Sequence, residues 1–251
     1  MLLDQRRGNV LEFIEHKGFA SLKQLADEIA VSESTLRRDL EYLEGIGQIR
    51  RTRGGAAYVG ESLAGFEDRR GLALREKQRI GRRVAELVST GETIILDGGT
   101  TTLEVARHLA GKSLQVVTNS LPIVNHLVGV ADVELIFLGG YLYPRTGVAL
   151  GALTVAALKQ VQARRLIMGV GGVTEAGLFN SNSLLVEAEQ QMMDSADEVI
   201  VVTDSSKLGH SEFARLCGLD RVHRMVVDQG ISPDWRERIC DFGIDLIVVE
   251  D

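Results

Sequence analysis

Residues 31–40 read Val31-Ser32-Glu33-Ser34-Thr35-Leu36-Arg37-Arg38-Asp39-Leu40, and this stretch decides how the first part of the chain folds. Ser32 is placed to cap a helix, and Glu33 sits at that helix's positive end. Leu36, Leu40 and Leu43 recur at i, i+4 and i+7 and must face inward, which turns Ser34, Thr35, Arg37, Arg38 and Glu41 outward. Upstream, Ser21 can cap a shorter helix carrying Leu22, Leu25, Ala26 and Ile29, and a tight turn at Ala30-Val31 separates the two. An opening helix draws its apolar stripe from Leu3, Val10, Leu11, Ile14 and Phe19 and stops near Gly18. Downstream, Gly45 and Gly47 end the capped helix. Gln48 to Thr52 and Ala56 to Val59 then predict a two-stranded wing closed around Gly54-Gly55. The pattern is a winged helix-turn-helix.

A capped helix with Ser32, Ser34, Thr35, Arg37 and Arg38 toward solvent suits a DNA major groove. The groove admits one helix, arginines bond guanine edges or phosphates, and hydroxyls adapt to either. Arg50, Arg51 and Arg53 on the narrow wing suit a phosphate backbone or a narrowed minor groove. A solvated face kept charged for solubility accounts for any single Arg-Arg pair, but less well for a capped helix and an arginine-rich hairpin together. The net charge of −7 does not oppose this reading. Basic and acidic groups balance in residues 1–60, and the whole excess falls in residues 61–251.

Composition excludes several other classes. The 251 residues are 45% hydrophobic and 25% charged, with only 3 Pro, so the chain is neither disordered nor collagen-like. Cys217 and Cys240 give neither a disulfide framework nor a metal-ligand spacing, which fits a reducing cytoplasm and implies no metal. Asp4, Arg6 and Arg7 stand where a signal peptide needs an apolar run, and Ser113 to Ala131 is too polar to span a bilayer. No membrane partner is expected.

Residues 60–78 lack a consistent period and predict a linker passing into a helix from about Lys77 to Val88. Apolar runs then alternate with helical stretches: Thr93–Leu96, Leu114–Val117, Val133–Leu138, Leu166–Val170, Glu198–Val202, Arg224–Val227 and Ile244–Val249. Short apolar strands separated by helices indicate an α/β domain with a mostly parallel sheet covered on both faces. The first strand runs into Asp97-Gly98-Gly99-Thr100-Thr101-Thr102 and then a helix, Leu103 to Leu109. Glycines that admit a ligand, with hydroxyls at a helix start, make a candidate anion site. An ordinary strand-to-helix turn with a threonine cap accounts for the same residues. The other strands end at Thr118-Asn119-Ser120, Gly139-Gly140, Gly169 to Gly171-Gly172, and Asp204 to Lys207. In a parallel sheet these ends share one edge, where open α/β folds bind ligands. Small residues, hydroxyls, two carboxylates and one lysine suit a polyhydroxylated ligand bearing a phosphate.

These residues resemble the DeoR family of bacterial transcriptional regulators over nearly the whole chain. The resemblance rests on Gln5-Arg6-Arg7, Leu25-Ala26, the string from Val31 to Leu40, and Gly47 to Ala56. It continues through Asp97–Thr102, Thr118–Ser120, Gly139-Gly140, Gly169–Gly172, and Asp204–Lys207 followed by Phe213. Arg53 stands where the family usually has His. Glu189 and Gln190 stand at two usually basic positions, and Asn180-Ser181-Asn182 replaces a Thr-rich segment. The resemblance implies a sensor domain similar in fold to ribose-5-phosphate isomerase, and a phosphorylated sugar as effector.

The expected organisation is a winged helix-turn-helix over 1–59, a linker over 60–78, and an α/β sensor domain over 79–251. The expected function is a sequence-specific regulator of sugar-metabolism genes, a repressor by family habit, without catalytic residues, cofactor or metal. A homodimer or homotetramer would present the two half-sites that a double-stranded operator needs. The alternative is a sugar-phosphate isomerase-like enzyme fused to a DNA-binding segment, since a carboxylate near a sugar can serve as a proton-transfer base.

Overall fold

A computed structural model describes residues 3–17, 19–45, 49–52, 54–58 and 65–250, which fall into two compact units, 1–69 and 70–251. Gly18, Gly47, Gln48, Arg53, Val59 and the first residues of the expected linker, 60–64, lie outside the described residues.

The first unit runs α1 (Leu3–Lys17), β1 (Phe19–Ser21), α2 (Leu22–Ile29), α3 (Glu33–Gly45), β2 (Ile49–Thr52) and β3 (Gly55–Tyr58). Ser21 closes a capping box on α2. Its hydroxyl accepts from the Gln24 N–H at 3.2 Å, and the Gln24 side chain accepts from the Ser21 N–H at 2.9 Å. Ser32 caps α3, accepting from the Thr35 N–H at 3.3 Å. Leu36, Leu40 and Leu43 are buried with Val10, Ile14, Leu25, Ile29, Ile49 and Ala56 in one core. Each leucine contributes about 1.5–3 kcal/mol by leaving water. The wing is a three-stranded antiparallel sheet ordered β1-β3-β2, not a two-stranded one. Phe19, expected on the opening helix, instead begins the third strand and pairs with Ala57.

A short helix α4 (Phe66–Arg70) reaches the boundary of the two units, and the second unit continues with α5 (Leu74–Leu87), so the helix expected from Lys77 starts one turn earlier, inside 60–78. Then follow β4 (Thr93–Leu96), α6 (Thr100–Ala106), β5 (Leu114–Thr118), α7 (Leu121–Leu127), β6 (Val133–Phe137), β7 (Tyr141–Tyr143), β8 (Val148–Leu150) and α8 (Ala152–Leu158). The chain continues through β9 (Ala163–Met168), β10 (Gly172–Thr174), β11 (Gly177–Asn180), α9 (Ser183–Asp194), β12 (Ala196–Val202), β13 (Ala214–Cys217), β14 (Arg224–Asp228), α10 (Pro233–Asp241) and β15 (Asp245–Val249). Helix α6 begins at Thr100 rather than Leu103, and β9 is set back to Ala163–Met168 from the expected 166–170.

Seven strands form one parallel sheet ordered β15-β14-β12-β9-β4-β5-β6. Ile95, Leu166, Met168, Val199, Val201, Met225 and Val227 belong to one large core cluster. Their strand neighbours Ile94, Leu96, Ile167, Ile200 and Val226 point the other way and are buried too, so both faces of the sheet are covered. Two small antiparallel sheets, β7-β8 and β10-β11-β13, accompany it. At the amino edge, ion pairs of alternating sign cross five neighbouring strands or their approaches. They run Glu92, Arg165, Glu198, Arg224 and Asp245, with the Arg165–Glu198 contact at 2.6 Å and Arg224–Asp245 at 2.7 Å.

Candidate functional site

The first unit offers an exposed helix face. With its leucines sealed below, α3 presents Ser34, Arg37 and Arg38 to solvent, while Thr35 is half-buried. Ser32 Oγ lies 2.9 Å from Ser34 Oγ and 3.0 Å from Thr35 Oγ1, a hydroxyl cluster at the helix start. Arg37 makes one loose surface pair with Glu33 at 3.4 Å, which holds it weakly.

The other candidate arginines differ. Arg51 is engaged by α3: Glu44 accepts from its backbone N–H at 2.9 Å and from its Nε–H at 2.5 Å. That hydrogen bond is the main reason its guanidinium pKa is raised. Arg51 therefore ties wing to helix. Arg50 lies on β2 opposite Ala57, its side chain outside the described residues together with Arg53. A cleft of about 360 Å³ between α3 and the wing is bordered by Arg37, Glu44, Arg51 and Gly55.

Residues that spacing did not single out for a role complete this unit. Asp39, 1% exposed, accepts from Arg6 at 2.6 and 3.1 Å and from Arg7 at 3.2 Å, which fastens α1 to α3. The Arg7 guanidinium also covers the Tyr42 ring at 3.7 Å.

In the second unit the strand order reverses between β4 and β9. The chain runs outward from β4 through β5 to β6, then returns to place β9 on the other side of β4. Ligands of open parallel sheets bind outside the carboxyl ends at such a point. The residues there are Asp97-Gly98-Gly99 after β4 and Gly169-Val170-Gly171 after β9, flanked by Thr118-Asn119-Ser120 and by Asp204 to Lys207. The sheet thus brings the expected ends along one edge.

The glycines serve different purposes. A Cβ at Gly98 would lie 2.1 Å from Val148 Cγ1, one at Gly140 2.2 Å from Thr154 Oγ1, and one at Gly172 2.3 Å from the His210 carbonyl. Packing alone demands glycine at these three. Gly139 has open space and Gly169 only a contact at 4.0 Å, so these leave room for a ligand to approach. At Gly99 the nearest atom is Thr102 Oγ1, at 3.2 Å.

The polar residues divide similarly. Thr102 is internal and its hydroxyl donates to the Gly99 carbonyl at 3.0 Å, while Thr100 and Thr101 are buried in the first turn of α6. Thr118 Oγ1 accepts from the Ser120 N–H at 3.1 Å. Asp204 caps a short 3-10 turn, Ser205–Lys207, accepting from the backbone and hydroxyl of Ser206. Lys207 is 9% exposed.

Among the described residues of this unit, four buried side-chain oxygens have no hydrogen-bond partner: Asn119 Oδ1, Ser120 Oγ, Thr146 Oγ1 and Glu189 Oε2. Such atoms are rare in folded proteins because each costs its desolvation, and a ligand or water that satisfies them recovers it. They belong to one neighbourhood. Ser120 bridges to Val148, Asn119 bonds Ala149, and Val148 and Leu150 pack with Leu185 and Ala188 of α9, the helix that carries Glu189. Thr146 sits in the β7–β8 turn beside them. Burial first, and the Asp97 carboxylate second, raise the Glu189 pKa well above the usual range, against the lowering hydrogen bond from Asn180. Its place on the apolar face of α9, four residues after Leu185, was the available signal for Glu189. Thr146 left none. A separate concavity of about 460 Å³, bordered by Gly91, Gln115, Asp132 and Glu134, lies at the opposite, amino edge.

Among the described residues no helix is long and apolar enough to cross a membrane. Residues 6–62 match the DeoR-like helix-turn-helix domain, and residues 73–229 match the DeoR C-terminal sensor domain. The chain is 32% identical to the glycerol-3-phosphate regulon repressor of Escherichia coli (strain K12), over 96% of this chain and 97% of that protein. It is 29% identical to the HTH-type transcriptional repressor GlcR of Bacillus subtilis (strain 168), over 100% and 98%. A solved ribose 5-phosphate isomerase A from Methanocaldococcus jannaschii overlaps at TM-score 0.40 and 18% identity, across 54% of this chain and 55% of that one. Matched in both of its units and along nearly its full length by named repressors, the chain belongs to the DeoR family of transcriptional regulators.

Proposed function

We propose that this chain is a sequence-specific DNA-binding repressor of sugar-metabolism genes, released from its operator when a phosphorylated sugar occupies the carboxyl edge of the parallel sheet. The observation that carries the reading is the outward face of α3, where Ser34, Arg37 and Arg38 stand exposed above a sealed leucine core. Support for the ligand comes from the buried unpartnered oxygens of Asn119, Ser120, Thr146 and Glu189, and from the open space at Gly139 and Gly169 at the carboxyl ends of the strands. In this reading Ser32, Ser34, Thr35, Arg37, Arg38, Arg50, Arg51 and Arg53 form the DNA surface, Arg51 partly by holding the wing. Asp97, Asn119, Ser120 and Asp204 serve the sugar, and the turn at Thr100-Thr101 with Lys207 serves the phosphate. Residues 1–59 read DNA, 60–78 connect, and 79–251 sense.

A ligand shifts such an equilibrium only by its difference in affinity for the two states. One recognition helix reads a half-site, so the working species is a homodimer or homotetramer in the cytoplasm. The sensor edge binds its ligand without turning it over.

The test is footprinting on the promoters adjoining the gene. Arg37→Ala is expected to weaken protection and, if Arg37 contacts a base, to relax specificity there by about 1–3 kcal/mol. Unchanged protection would remove α3 from the interface. Sugar phosphates should raise the melting temperature of the pure protein and be recovered unchanged; measurable turnover would favour the isomerase alternative.

A further inference from the structure

Glu189 is the most conspicuous buried charge-bearing group at the sensor edge. It is 2% exposed, its Oε1 accepts from Asn180 Nδ2 at 2.5 Å, and its Oε2 has no partner. Asp97, at the strand-order reversal, is close enough to act on it electrostatically. Asn180, its hydrogen-bond partner, is only half-buried, so Glu189 is linked to the solvent-facing side of the domain through one side chain. An unsatisfied buried oxygen is costly, and a hydrogen-bonding occupant removes that cost.

We propose that Glu189 is a specificity-determining residue of the effector site: Oε2 takes a hydroxyl of a singly phosphorylated sugar, and together with Asp97 it bars ligands bearing a second phosphate at that end. This rests on the proposed sensor edge and names its ligand class more narrowly. A hydroxyl serves either protonation state of the carboxyl, donating to a carboxylate or accepting from a carboxylic acid. A phosphate dianion has no hydrogen to donate to the carboxylate, and even against the protonated acid it adds negative charge beside Asp97 in a site shielded from water, where like charges repel strongly. The neutral Asn119, Ser120 and Thr146 oxygens are likewise buried and unpartnered in the same neighbourhood. The ligand's single phosphate is thereby directed away from Glu189, toward Lys207.

The experiment is calorimetric titration of the full chain with matched pairs: fructose 6-phosphate against fructose 1,6-bisphosphate, ribulose 5-phosphate against ribulose 1,5-bisphosphate, and glucose 6-phosphate against glucose 1,6-bisphosphate. In the pair that binds, the bisphosphate is expected to be weaker by roughly thirtyfold or more. Glu189→Gln keeps the shape and the Asn180 contact while removing the acid, and should narrow that gap by about fivefold. A single cooperative melt shows the variant folded; should it fail to fold, the wild-type pairs still decide. Equal affinity for both members of a pair, or an unchanged ratio in a folded Glu189→Gln, overturns the assignment of Glu189 and leaves the sensor edge standing. Absence of binding by every monophosphate and bisphosphate overturns the sensor-edge reading, and this inference with it.

Discussion

Arg6 and Asp39 form a bidentate pair across 33 residues of sequence: Nε donates to Oδ2 at 2.6 Å and the terminal guanidinium nitrogen to Oδ1 at 3.1 Å. The acceptor is buried on the same helix that turns Arg37 and Arg38 outward, so the pair sets the angle at which α3 leaves the opening helix. Asp39→Asn should keep the volume and lose the charge. Operator affinity is expected to fall by roughly tenfold, while ligand-induced stabilisation of the sensor unit persists. Equal affinity by fluorescence anisotropy would show that α3 holds its angle without the pair.

The wing contact lends itself to a double-mutant cycle. If Arg51 acts chiefly by gripping Glu44, then Arg51→Ala and Glu44→Ala each weaken operator binding, on the order of threefold to tenfold for a contacting pair. The double variant then loses little more. Additive losses would instead mean that Arg51 reaches phosphate independently.

Arg165 stands second in the charge ladder, with Glu92 and Glu198 on either side and 13% of its side chain exposed. Arg165→Met removes the cation between Glu92 and Glu198, leaving Glu198 with Arg224 as its partner in the ladder and Glu92 without this pair. Thermal or urea unfolding should show a loss of about 2–3 kcal/mol, with sugar-phosphate affinity intact in the folded fraction. A stability change near zero would mean that water screens the two acids adequately.

Glu189 predicts a pH dependence of the unliganded protein. Burial, then Asp97, raises its folded-state pKa, so the native chain retains a proton that the unfolded chain gives up. Stability from this group is full below the ordinary glutamate pKa and declines as pH rises toward the raised value, by at most about 1.4 kcal/mol per pH unit. Glu189→Gln should flatten the slope over that interval. Parallel stability–pH curves for the two proteins would contradict it.

Local periodicity made much of this fold readable. Ser32, Leu36, Leu40 and Leu43 announce α3 because cap and stripe lie within one helix, and the seven apolar runs announce the parallel sheet. What spacing could not show was set by distant partners. Phe19–Ser21 is too short to carry a period and becomes a strand only because β3 pairs with it. The same holds for β7, β8, β10, β11 and β13, which are three or four residues each. The threonines after Gly99 read as a loop before a helix, yet they form its first turn. In the candidate site, the turn residues were visible by type, but the division between glycines that packing demands and those that leave space was not. Nor was the reach of Arg6 to Asp39.

The ion-pair ladder lies along one rim of the parallel sheet and the unsatisfied oxygens along the other. On the proposed reading, fastening and tasting thus fall to separate residues at opposite edges of one domain. If Glu189 and Asn180 serve the effector as proposed, substitutions around them would retune which metabolite is noticed without loosening the scaffold beneath, and a lineage could reassign this regulator to a new nutrient by a handful of changes on one rim.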